Sequence, residues 1–206
     1  LRQEIKEEAN GFNLSAVILA AGFSSRIQGF KPLMRLGDAT LVERVISLYK
    51  QSGVNDVRVV VGYRKDELIP VIEKLDVEIL VNPRHWDGMF SSVLCGLESL
   101  GAGFAGCFIH PVDIPLVSQH TASKLIDSLR ANPDSVVRPC FQQKRGHPLL
   151  IPSRAFKHII DFDQPGGLRA ALRPLESTAV SVEVDDEKIL LDVDTLEDYE
   201  ALLRNI

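Results

Sequence analysis

Several functional classes are thinly supplied in this sequence. Cysteine occurs three times in 206 residues, at Cys95, Cys107 and Cys140, an odd number with no C-x-x-C pair. A disulfide framework or a zinc knuckle is therefore not expected, and reduced cytoplasm is the default compartment. Positive charge is also short. The 23 Lys and Arg are outnumbered by 28 Asp and Glu, giving a net charge of −5, and no basic stripe forms. Nucleic acid is disfavoured as a bulk ligand, because tracking its phosphates needs clustered cations. The longest apolar runs are strand-sized and no charged stretch precedes a signal-like core, so neither a membrane span nor a secretory signal is expected. No Gly-Lys pair occurs, which excludes G-x-x-x-x-G-K-[ST], and no G-x-G-x-x-G follows the first apolar strand. A Ser/His/Asp or Cys/His catalytic arrangement, an internal repeat and a low-complexity tract are likewise missing.

What is present fits one α/β domain, long enough to bury about 70% of the surface of its unfolded chain. The chain starts at Leu1 rather than Met, and its charged, helix-prone first segment reads as a linker or an artificial edge over residues 1–13. The domain is expected over 14–206. Its organising stretch is the apolar run Ser15–Leu19, which continues without a break into Ala20, Ala21, Gly22, Phe23, Ser24, Ser25 and Arg26, with Lys31-Pro32 five residues on. Small residues let the main chain approach a ligand closely, and Gly22 can take positive φ where other residues would be strained. Inward-turned N–H groups with Arg26 and Lys31 would make a nest for polyphosphate. The alternative is an ordinary solvated loop between a strand and a helix.

Downstream, Thr40 and Glu43 form a capping-box pattern ahead of Val42, Val45, Ile46 and Tyr49, which share one helical face. Strands at 57–61 and 77–81 flank a helix at about 65–75, and this alternation argues for a parallel sheet covered on both faces. Ser91 and Ser92 precede a helix carrying Val93, Leu94, Leu97 and Leu100, and either cap it or offer donors to a ligand. A strand at 104–110 delivers Asp113 between Pro111 and Pro115 at its carboxyl end, the edge where open α/β sheets bind ligands. A helix follows from Thr121, then two short strands over 135–152 joined through Gln142–Arg145. A strand at 178–184, another at 189–194 and a helix over 195–205 with Leu196, Tyr199 and Leu203 inward complete the reading.

The stretch from Leu19 resembles the signature loop of nucleotidyltransferases that move an NMP from an NTP onto a phosphate or phosphosugar, L-A-[AG]-G-x-[GS]-x-R-x-G-x-x-K. Leu19, Ala20, Ala21, Gly22, Ser24, Arg26 and Lys31 match, while Gln28 stands where the pattern has Gly. Gly88-Met89-Phe90-Ser91-Ser92-Val93-Leu94-Cys95-Gly96-Leu97 is similar to the G-M-x-x-S-[VIL]-x-x-G-L segment. Asp113-Ile114-Pro115 looks like the D-x-P step, Gly146-His147-Pro148 matches G-H-P, and Asp192-Val193-Asp194-Thr195-Leu196-Glu197-Asp198 resembles D-[IV]-D-T-P-E-D. In place of G-D-x-G-[AV]-R stands Gln164-Pro165-Gly166-Gly167-Leu168-Arg169. The order of these matches along nearly the whole chain is similar to the molybdenum cofactor cytidylyltransferases.

That resemblance implies a Rossmann-like three-layer α/β/α nucleotidyltransferase fold with a mostly parallel mixed sheet and a small β insertion. It implies transfer of CMP from CTP to molybdopterin with release of pyrophosphate, and a molybdenum hydroxylase as recipient of the product. Nucleotide contacts would come from Leu19, Ala20, Ala21, Gly22, Ser24, Arg26, Lys31, Ser91, Ser92 and Gly96. Catalysis would rest on Lys31, Arg26 and Asp113, acceptor binding on His147 and Arg169, and Mg²⁺, a hard ion suited to one or two carboxylates, on Asp113 and Asp194. The Ala21 methyl goes with the cytidylyl type and would narrow the pocket against a purine. His147 is otherwise a packed turn histidine, Trp86 a lid or a stacking surface, and Asp192 and Asp198 caps of the last helix. Two other readings stand beside this one: cytidylyl, uridylyl or guanylyl transfer to another phosphorylated small molecule, and a nucleotide-binding module without turnover.

Overall fold

The computed structural model describes residues 12–24, 26, 27 and 29–204. The chain enters on β1 (Asn13–Ala20), whose residues from Leu14 onward are all buried, the continuous apolar run of a strand covered on both faces. The strand begins at Asn13, so the boundary expected between 13 and 14 falls inside it. A short antiparallel pair, β2 (Arg35–Leu36) and β3 (Ala39–Thr40), leads into α1 (Leu41–Gln51). Both halves of the Thr40–Glu43 capping box are formed there. β4 (Asp56–Val61), α2 (Lys65–Ile72), β5 (Glu78–Val81), α3 (Met89–Glu98), β6 (Phe104–Pro111) and α4 (Gln119–Ala131) follow with short joins. The chain then forms β7 (Val137–Phe141), β8 (Lys144–Arg145), β9 (Leu149–Pro152), α5 (Phe156–Ile160), α6 (Gly167–Leu172), β10 (Val180–Glu183) and α7 (Leu196–Leu203).

Eight of these strands form one sheet in the order β10-β7-β9-β6-β1-β4-β5, with β8 beside β7. β1 is central and parallel to both β4 and β6, and only β8 and β9 run against the rest. Side chains alternate across the strand. Ala16, Ile18 and Ala20 join a core with Tyr49 and Val45 of α1, Leu68 of α2, Leu125 of α4 and Leu202 of α7. Val17, Leu19 and Ala21 join another with Val93 and Leu97 of α3, Ile159 of α5 and Leu172 of α6. The result is the expected three-layer α/β/α arrangement, with β9 inserted in reverse between β6 and β7.

Gly96 sets how near α3 lies to the sheet. A Cβ there would sit 2.3 Å from Cγ1 of Val17, so only glycine permits this approach. Gly96 therefore packs the helix onto β1 and is not among the residues lining the cleft described below.

Two segments depart from the sequence reading. The strand expected at 189–194 is instead a 3₁₀ turn over Glu187–Leu190 followed by unpaired extended chain. Single tertiary bonds replace a ladder: the His147 N–H donates to Ile189 O (3.0 Å), and the Val193 N–H donates to Asp113 O (2.8 Å). The turn is anchored by buried Asp186, which accepts from Thr121 Oγ1 (2.7 Å), Ser118 N (2.9 Å) and Lys188 N (3.3 Å). In α7 the inward residue is Leu202, whereas Leu196 and Leu203 are exposed. Thr195 caps that helix through Asp198, so its packed face falls at Tyr199 and Leu202. The rest of the expected helix, Asn205, and the first eleven residues lie outside the described residues. Among the described residues, no helix is long and apolar enough to cross a membrane.

Candidate active site at the carboxyl edge of the sheet

The carboxyl ends of β1 and β6 open onto a cleft of about 330 Å³. Its floor is Leu19, Ala20 and Ala21, and Gly22, Phe23 and Ser24 continue its wall. The hydrogen bond from Val112 N to Leu19 O (3.1 Å) carries the pairing of β1 and β6 one step past the strand, which brings Asp113 to the same edge. Across the cleft stand Gly88, Met89 and Ser92 from the first turn of α3. Gly88, at φ 92°, is the N-cap, so no side chain caps the first N–H groups of that helix.

The turn after Ala21 is not made at Gly22, whose φ is not positive. It is made at Ser24, with φ 53°. Ser24 tolerates this because its local hydrogen bonds are spent there: its carbonyl accepts from Ile27 N (3.2 Å) and its Oγ from Lys31 N (3.2 Å). A Cβ at Gly22 would meet no atom of the described residues within 4 Å. Ser25 and Gln28 lie outside the described residues.

Lys31 is held at the centre. Its side chain is only 10% exposed, and Nζ lies 2.8 Å from Asp194 Oδ1 and 3.5 Å from Asp113 Oδ2. Asp194 also receives Arg26 NH1 at 2.7 Å, although the Arg26 side chain is 68% exposed. Two carboxylates, one from the middle of the chain and one from near its end, thus converge on one ammonium, and the Val193–Asp113 backbone bond ties their segments together. Burial raises the Asp113 carboxyl above its ordinary value, Lys31 opposes that, and the charge of Asp194 adds to the rise. A hard-oxygen pair of this kind suits a divalent cation that also binds substrate phosphate oxygens, so the residues fit such an ion.

The support beneath is rigid. His110 is fully buried at the end of β6; its Nε2 is 2.9 Å from Ile114 O and its Nδ1 is 2.7 Å from Tyr49 Oη. A carbonyl can only accept, so Nε2 carries the proton and Nδ1 accepts from the tyrosine hydroxyl. The bond to Ile114 O fixes the turn that carries Asp113. Burial pushes the His110 pKa down to about 3. The unfolded chain takes up a proton near pH 6.5 and the folded chain does not, so stability falls as pH drops through that window, by about 1.4 kcal/mol per unit. Urea unfolding at pH 6.5 and 4.5 is expected to show a loss of roughly 2–3 kcal/mol from this group alone. His110→Gln, weaker at neutral pH, should lose less over the same interval.

Asn82, which the sequence reading passed over, organises the wall by α3. Its Nδ2 donates to Ser91 Oγ (2.9 Å) and Ser92 Oγ (3.0 Å), and its Oδ1 accepts from Arg84 N (2.8 Å). A polar residue ahead of Pro83 at a strand end was the available signal. Ser91 is spent within the protein, bonded to Arg84 O and Gly88 O at 2.8 Å each. Ser92 lines the cleft, and its hydroxyl proton has no acceptor among the described residues. His85 and Trp86 form an aromatic rim with Phe23, at ring separations of 5.5 Å (Phe23–His85) and 4.9 Å (His85–Trp86). Two expected acceptor residues lie outside the cleft lining. His147 has a buried Nδ1 with no partner among the described residues, and its backbone N–H is held by Ile189 O. Arg169, on α6, lines a separate cavity.

Comparison with known proteins bears on this arrangement. The model of the MobA-like NTP transferase domain family matches residues 16–180. The molybdenum cofactor cytidylyltransferase of Escherichia coli strain K12 is 28% identical over 187 residues, covering 90% of this chain and 93% of that protein. The fold is shared with a nucleotidyl transferase from Methanothermobacter, at TM-score 0.79 and 22% identity over 95% of this chain and all of that one. It is also shared with Rv0371c of Mycobacterium tuberculosis H37Rv in complex with manganese, at TM-score 0.70 and 20% identity over 95% and 100% of the two chains.

Proposed function

This chain belongs to the family of MobA-like NTP transferase domains and is a nucleotidyltransferase, and from that premise we propose that it transfers CMP from CTP to the phosphate of molybdopterin. The observation that carries the reading is the meeting of Lys31 with Asp113 and Asp194 at the mouth of the Ala20–Gly22 loop. An acceptor phosphate oxygen attacks the α-phosphorus of CTP in line, a P–O bond forms, and the bond from the α-phosphorus to the bridging oxygen of pyrophosphate breaks. A phosphate monoester is largely dianionic near neutral pH and so needs no general base to attack.

The chemistry is then positioning and charge. Lys31 and Arg26 stabilise charge on the phosphates, and Ser92 Oγ and the first turn of α3 supply donors. Asp113 and Asp194 would hold Mg²⁺, which when bound neutralises the phosphate oxygens. The Ala21 methyl on the cleft floor favours a pyrimidine over a purine. The E. coli relative supports the molybdopterin acceptor, and a cytoplasmic molybdenum hydroxylase is the matching recipient of the product.

The test is pyrophosphate release from the purified chain with Mg²⁺, each of the four NTPs, and molybdenum-loaded molybdopterin or other phosphorylated acceptors. CTP with molybdopterin is expected to dominate. Preference for another acceptor or base would move the assignment within the family. Tight CTP binding without release, unaffected by Asp113→Ala, would identify a binding module instead.

A further inference from the structure

The cavity that takes Arg169 is larger than the first, about 520 Å³, and its lining is of another kind: Arg145, Gly166, Arg169, Ala170, Arg173 and Glu176. Glu176 is the single acid among three guanidinium groups, and it is already engaged. Its oxygens accept from Arg138 NH1 (2.9 Å) and NH2 (2.7 Å), with Arg145 NH1 at 3.1 Å. The Arg138 side chain is only 9% exposed, and its buried Nε has no partner among the described residues. Arg169 and Arg173 make no ion pair among the described residues. Arg138 and Arg145 therefore share one carboxylate, and Arg169 and Arg173 add two further guanidiniums to the cavity wall, in a chain whose net charge is −5. Concentrating cations in a concavity of an acidic protein costs repulsion, and an anion entering it relieves that repulsion.

This cavity shares no lining residue with the cleft, but segments that line the two touch each other. Gly167, at the start of α6, packs on Phe90, with 3.4 Å from a would-be Cβ to the Phe90 Cβ. Phe90 is the chain neighbour of Met89, which lines the cleft, and Gly167 is the chain neighbour of Gly166, which lines the arginine cavity. The phosphate that attacks CTP must lie in the cleft and so is not the group the arginines would hold.

We propose that the arginine cavity is a second anion subsite, receiving a negatively charged group of the acceptor other than its attacking phosphate. This rests on the nucleotidyl-transfer reading above and narrows the acceptor to molecules with two separated anionic groups. Arg145 and Arg173 are its new determinants, and Glu176 holds Arg138 and Arg145 in place.

Two measurements test it. In ¹⁵N-labelled protein with the cleft filled by a non-hydrolysable CTP analogue and Mg²⁺, inorganic phosphate is added while the arginine Nε–H signals are followed. Saturable shifts of Arg145, Arg169 and Arg173, absent when sodium chloride is added to equal ionic strength, are expected. Unsaturable shifts, or equal shifts with chloride, overturn the proposal. In steady-state assays with molybdenum-loaded molybdopterin, the double variant Arg145→Ala/Arg173→Ala is expected to raise the acceptor KM about tenfold or more with the CTP KM unchanged. An unchanged acceptor KM removes the acceptor assignment even if phosphate binds. Arg145→Lys/Arg173→Lys should recover part of the loss, and unaltered thermal unfolding of both variants excludes a folding defect. Absence of pyrophosphate release by the wild type with every acceptor is the separate failure of the transfer reading, and the acceptor subsite falls with it.

Discussion

Lys31→Met is expected to lower kcat/KM for nucleotidyl transfer by roughly 10³-fold while the protein stays folded and binds divalent metal more tightly than the wild type. The rate loss follows from the site of the ammonium. A buried cation at the mouth of the Ala20–Gly22 loop would contribute most where charge develops in the transition state, and loss of one such group costs on the order of 10²–10³ or more. The metal effect follows from what Lys31 does without substrate. Its Nζ lies against both Asp113 and Asp194, so it is an internal counter-ion for the two carboxylates that a divalent ion would need. Methionine keeps the aliphatic stem and removes the competitor. Mn²⁺ binding without nucleotide, measured by isothermal titration at pH 8 so that the carboxylates are ionised, should tighten several-fold in the variant. Looser binding, or turnover close to the wild type, would show that Lys31 is a structural cation whose place in the cleft is incidental.

The parts of this site legible in the sequence were those set by short-range rules. A strand buried on both faces reads as an unbroken apolar run, and Ser15–Leu19 does so. Thr40 and Glu43 announce the start of α1 by their spacing alone. The ordered segments from Leu19 to Asp198 implied one edge, and Lys31, Asp113 and Asp194 do meet there although they are far apart in sequence. What was not legible depended on tertiary contacts. Ile189–Asp194 has the composition of a strand, but Asp186 and His147 hold it in single bonds beside the sheet. Gly22 carried the usual signal for positive φ, yet the turn falls at Ser24, because a loop opening onto a cleft places its tight corner where side-chain oxygens can satisfy it. Gly96 matched a sequence pattern near a ligand segment, and its role emerges only from the distance between α3 and Val17. Arg169 belongs to a cavity whose other arginines are scattered in sequence and form no run that composition could reveal.

Asp113→Asn and Asp194→Asn should both reduce turnover about 10³-fold, and they should move stability in opposite directions. Asp113 is half-buried, and desolvation raises its carboxyl above the ordinary value, with Lys31 opposing and the Asp194 charge adding to the rise. A raised pKa in the folded state means that the folded protein binds the proton more readily than the unfolded one. Between the unfolded value near 3.9 and the folded value, stability therefore falls as pH rises, and above that window the ionised group weighs against folding by a constant amount. Asparagine removes this term while its amide oxygen can still face Lys31, so the variant should be as stable as the wild type at pH 4 and more stable at pH 8. Asp194 has the opposite balance. It holds Lys31 at 2.8 Å and Arg26 at 2.7 Å, so neutralising it removes the carboxylate that both cations pair with. Stability at pH 8 should fall, and only part of it should return on raising the salt concentration, because Lys31 is buried while Arg26 is exposed. Urea midpoints of the three proteins at the two pH values decide the matter. If Asp113→Asn proves less stable at pH 8, the carboxylate is a structural partner of Lys31 and not a group held ionised, against its own burial, for the metal and phosphates of the substrate.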